Sequence, residues 1–121
     1  MVPINQVQSI EGLDIALVSL ERHDDGARLR FMCRASDVAT RRRMSVLDVI
    51  AVDDAARLYR VACAESVPEG NRLDGAFAVA PAIPEDVGLL TVTVGTVVDE
   101  GRPQDSVPGP WVFPIRLSPR P

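Results

Sequence analysis

Apolar side chains in this chain recur at every second position, in short runs that clusters of Asp, Gly and Pro interrupt about every ten residues. A period of two places alternate side chains on opposite faces of an extended strand, so each run is an amphipathic strand with one face toward a core. The only stretch with helical character is Ser36 to Arg43. Ser36 can cap it, but its length allows a turn or two at most.

The first unit spans Leu13 to Arg34. Leu13, Ile15 and Leu17 alternate with Asp14 and Ala16, and Asp24-Asp25-Gly26 follows as a turn. With Asp25-Gly26 as a type I′ loop, Leu20 falls opposite Phe31, Val18 opposite Cys33, and Glu21 opposite Arg30. The apolar set is odd-numbered upstream (Leu13, Ile15, Leu17) and even-numbered downstream (Val18, Leu20). A β-bulge near Leu17–Ser19 accounts for the switch, and a strand buried on both faces is the alternative.

A second hairpin is expected over Met44 to Ala64, turning at Asp53-Asp54-Ala55-Ala56 and pairing Val49 with Tyr59 and Asp48 with Arg60. Pro68-Glu69-Gly70-Asn71 reads as a loop before a short strand at Ala76 to Ala80. Pro81-Ala82-Ile83-Pro84 then marks a crossover, because proline cannot continue a central ladder. Leu90, Val92 and Val94 face one way, with Thr91 and Thr93 facing the other. A polar loop is expected from Asp99 to Gly109, and a last strand from Trp111 to Leu117. Pro114 assigns that strand to a sheet edge or a bulge. Seven to eight strands with short links and one crossover predict an all-β domain covering residues 1–121. The expected form is a two-sheet antiparallel β-sandwich with Greek-key connections.

The Leu13–Arg34 hairpin, the Phe77–Pro84 connector, the Leu89–Val98 strand and the Trp111–Leu117 strand together resemble the immunoglobulin-like sandwiches, including small sandwich proteins of high-GC bacteria. The all-arginine basic set (13 Arg, no Lys) fits such a genome. Two features depart from the antibody type. Trp111 lies on the last strand instead of near the first cysteine, and no tyrosine stands two residues before the second cysteine as a tyrosine corner requires.

Composition narrows function by exclusion. A net charge of −4 disfavours nucleic-acid binding, which needs a concentrated basic surface. No apolar run reaches the roughly 20 residues of a membrane helix, and Met1 to Gln6 has no leader character, so cytoplasm is the expected location. Free thiols are the expectation for Cys33 and Cys63 in a reducing compartment, with a disulfide as the alternative. No phosphate loop, dinucleotide fingerprint or nucleophile elbow occurs, and one His with two separated Cys does not supply a zinc site.

Three constellations remain. His23 is the only histidine and would be the base of any triad, yet it lies at a hairpin tip. Asp24, Asp25, Asp53, Asp54 and Asp99 stand at strand ends and could meet around calcium, although Asp is also a common turn former. Arg28, Arg30 and Arg34 share a strand face and, with Arg41, Arg42 and Arg43, offer a docking surface or a solvated face. Val46, Ile50 and Val52 alternate with Leu47, Val49 and Ala51, so this strand is either covered on both sides or packed on another chain. The expected role is therefore a non-enzymatic protein-binding or assembly domain, without a cofactor and capable of forming a homodimer. A calcium-stabilised or small-ligand-binding sandwich is the alternative.

Overall fold

A computed structural model describes residues 1–35, 44–99 and 106–117. Eight strands form among them: β1 (Val2–Ile10), β2 (Leu13–His23), β3 (Gly26–Ala35), β4 (Met44–Asp53), β5 (Leu58–Glu69), β6 (Arg72–Ala80), β7 (Leu89–Asp99) and β8 (Val107–Arg116). All pairs are antiparallel, in the order β1-β2-β3-β6-β5-β4-β7-β8. The set β7-β4-β5-β6 is a Greek key, with the proline-marked segment between β6 and β7 as its long connection. The segment Ser36 to Arg43 lies outside the described residues.

The hydrogen-bond ladders link the strands into one continuous sheet, whereas the sequence predicts two separate ones. β4 and β5 join through Ala51↔Tyr59 and Val52↔Leu58, and this short ladder connects β1-β2-β3-β6-β5 to β4-β7-β8. The sheet then curls until its end strands meet. Gln6 Nε2 donates to the Pro114 carbonyl at 2.6 Å, and Trp111 Nε1 on β8 donates to the Leu13 carbonyl at 3.3 Å. The result is a nearly closed barrel, so the immunoglobulin-like division into two hydrogen-bonded sheets is not what forms.

Inward side chains follow the predicted parity. Leu90, Val92 and Val94 are buried, as are Trp111, Phe113, Ile115 and Leu117. Phe31 and Phe77 stack inside at 4.2 Å between ring centroids. The predicted bulge is present: the β2–β3 register shifts between Leu17 and Ser19, which turns Val18 outward. β8 is an end strand, as Pro114 requires.

The registers differ from expectation by two residues. His23 pairs with Gly26, so Asp24-Asp25 is the loop; Leu20 faces Leu29, and Glu21 faces Arg28. In the second hairpin Tyr59 pairs with Ala51 instead of Val49. An even offset leaves side chains on their predicted faces, which is why pattern alone does not detect it; the exceptions are Val18, expected inside opposite Cys33, and Leu47, expected to share the face of Val49, which the irregularities at Leu17–Ser19 and Asp48 turn outward.

The type I′ chemistry sits one hairpin earlier, at Glu11-Gly12. Both residues have positive φ (48° and 78°), and they close a β1–β2 pairing that the sequence reading leaves unassigned. Gly26 has no positive φ. It is needed because β3 passes so close to β6 that a β-carbon there would collide with the Val79 carbonyl oxygen. Gly26→Ala and Gly26→Asn should therefore both lose about 1–3 kcal/mol in urea unfolding. Asn tolerates positive φ, so wild-type stability in Gly26→Asn would show that turn conformation, and not crowding, selects this glycine.

Candidate functional site

The most densely bonded polar group lies at the β4–β5 turn. Asp53 is buried. Its Oδ1 accepts the amides of Ala55 (2.8 Å) and Arg57 (3.0 Å), while its Oδ2 accepts Arg57 Nε (2.7 Å) and the Tyr59 hydroxyl (2.7 Å). Burial acts to raise the Asp53 pKa. The hydrogen bonds from Tyr59, Arg57 and Ala55 outweigh it and hold the carboxyl well below the ordinary carboxylate range. Burial, together with the bond to Asp53, pushes the Tyr59 phenol up to about 12. With its oxygens so committed, Asp53 is a turn clamp. Asp54 accepts the Gly88 amide at 3.0 Å and ties the turn to the β6–β7 crossover. Arg22 donates to the Pro84 carbonyl of the same crossover at 3.2 Å, and its buried Nε has no partner among the described residues.

The five predicted calcium ligands do not converge. Asp24, Asp25, Asp53 and Asp54 share one end of the barrel. Asp99 pairs with Met44 at the other end of β7, about 30 Å away by strand rise. Among the described residues no three His, Cys, Asp or Glu side chains come together as a metal group.

His23 is exposed at its hairpin tip, 3.9 Å from Glu21. It lines a hollow of about 280 Å³ with Asp25 and Arg28, whose remaining walls are mostly alanine, valine and glycine. Both cysteines are free. Cys63 is exposed, while burial, aided by the Asp14 charge, pushes the Cys33 thiol up to about 12. Cys33 therefore stays protonated near neutrality, and its Sγ lies 3.9 Å from Met44 Sδ.

The outer surface of the barrel is divided chemically. Across β1-β2-β3-β6-β5 the exposed rows mix charges of both signs. One reads Asp14–Arg34–Arg72–Glu69, and Glu21 stands beside Arg28. Arg28, Arg30 and Arg34 do share this face, but Arg28 pairs with Glu65, and Arg72 pairs with Glu69 (3.2 Å) and Asp74 (3.0 Å). Arg41, Arg42 and Arg43 lie outside the described residues.

Across β4-β7-β8, with Leu58 at the start of β5, three rows are uncharged, although exposed Asp48 stands between two of them and exposed Arg116 ends β8. Leu58, Val52, Thr91 and Pro114 form one; Ile50, Thr93 and Val112 form the next; Leu47, Thr96 and Pro108 form a third. Leu58, Ile50, Leu47 and Val112 are 70%, 51%, 46% and 43% exposed, so large apolar groups face water along the whole patch. Asp48, at φ 57°, kinks β4 between the second and third rows. The sequence signals this face in the apolar residues on both sides of β4. It does not signal that β7 and β8 extend it.

These features define an all-β, single-sheet barrel with one outer face rich in charges and one largely apolar. No protein-family model matches the sequence, and no curated protein matches it. Two crystal structures share the fold. One is a conserved domain protein from Bacillus anthracis, with TM-score 0.73 and 11% identity over 96% of this chain. This chain spans only 41% of that protein's length. The other is a DUF4426 family protein from Pseudomonas aeruginosa PAO1, with TM-score 0.64 and 15% identity over 96% of this chain and 99% of that one. At such identity the likeness is one of fold.

Two outcomes follow. Because the Asp53 carboxyl is held below its ordinary value of 3.8, the unfolded chain takes up that proton first as pH falls. The turn's contribution is whole above that value and is lost as pH drops below it toward the folded value. The urea midpoint should therefore fall on acidification below about pH 4, less steeply in Asp53→Asn, which should also be less stable at pH 7. Thermal melting should be unchanged by added calcium or by chelator. A rise of several degrees with calcium would restore a cation role for the Asp24–Asp25 and Asp53–Asp54 turns.

Proposed function

We propose that the domain is a non-enzymatic protein-binding module whose working surface is the largely apolar outer face of β4, β7 and β8. The carrying observation is the contrast between the two halves of one barrel. An antiparallel sheet with a wet outer face places charged and polar residues there, as β1-β2-β3-β6-β5 does apart from the exposed Val7, Val18 and Val67. The rows centred on Ile50, Thr93 and Val112 instead carry Leu, Ile, Val, Thr and Pro, which is the composition of a covered face. On this view the curved halves act as opposed layers of a sandwich, one solvated and one docking. A reducing cytoplasm suits the two unpaired thiols.

A photo-crosslinking residue placed at Thr93 should yield covalent adducts in the protein's native cells, and the same residue at Arg30 should yield none. Equal adducts from both positions, or none from Thr93, would remove this role from the face.

A further inference from the structure

We draw no further inference here: the strongest candidate, the largely apolar outer face of β4, β7 and β8 around Ile50, Thr93 and Val112, is the surface already proposed for interaction, and nothing in the structure shows what covers it.

Discussion

The two halves of the barrel are joined by a ladder only two residue pairs long, and the Asp53 carboxylate secures it. Ala51↔Tyr59 and Val52↔Leu58 are the pairs between β4 and β5, and Asp53 follows directly. Its oxygens bind the next turn's amides, the Arg57 guanidinium and the Tyr59 hydroxyl on the facing strand. A buried carboxylate is costly unless its lone pairs are satisfied, and here they are. The clamp therefore sets where β5 leaves β4. Beyond that point β5 pairs with β6, and β4 pairs with β7. The division of the surface into two chemically different faces follows from that parting.

Closure on the opposite side is of another kind. β1 and β8 meet through the Gln6 side chain, and Trp111 spans from β8 to the Leu13 carbonyl of β2. Pro108, Pro110 and Pro114 remove amide donors along β8, and Pro3 removes one from β1. End strands built this way resist pairing edge to edge with other chains. Edge-to-edge pairing is thus disfavoured, and exposed apolar area without open backbone groups lies instead on the sheet face. The mixed charges of β1-β2-β3-β6-β5 keep the other half in water.

Much of the fold was legible in the chain. The change of apolar parity between Leu17 and Leu20 located a real bulge, Pro114 placed the last strand at an end, and Pro81-Ala82-Ile83-Pro84 marked the crossover. Alternation placed Leu90, Val92, Val94, Trp111 and Phe113 inside. β1 went unassigned because Gln6 and Gln8 dilute its alternation, although Glu11-Gly12 behind it is a turn signal. The candidate site was legible only in part. Apolar residues on both sides of β4 pointed to a covered face. Asp53, in contrast, read as one of several turn acids, since its partners Arg57 and Tyr59 become partners only in the folded hairpin.

The sequence by itself determined which residues point inward along regular stretches of strand, because a period of two assigns faces locally and any even slip of register leaves them unchanged; only at the irregularities beside Val18 and Leu47 does the assignment fail. It also determined the bulge and the crossover, each written in a few adjacent residues. The tertiary structure alone decided the two-residue offsets in both hairpins, since Gly26 is placed by the distant Val79 carbonyl and Tyr59 by Asp53. It alone decided that the strands form one curled sheet instead of two. And it alone decided that Leu47, Ile50, Leu58 and Val112, scattered over more than half the chain, lie on one largely apolar surface, because strand order is set by long-range pairing that no local pattern encodes.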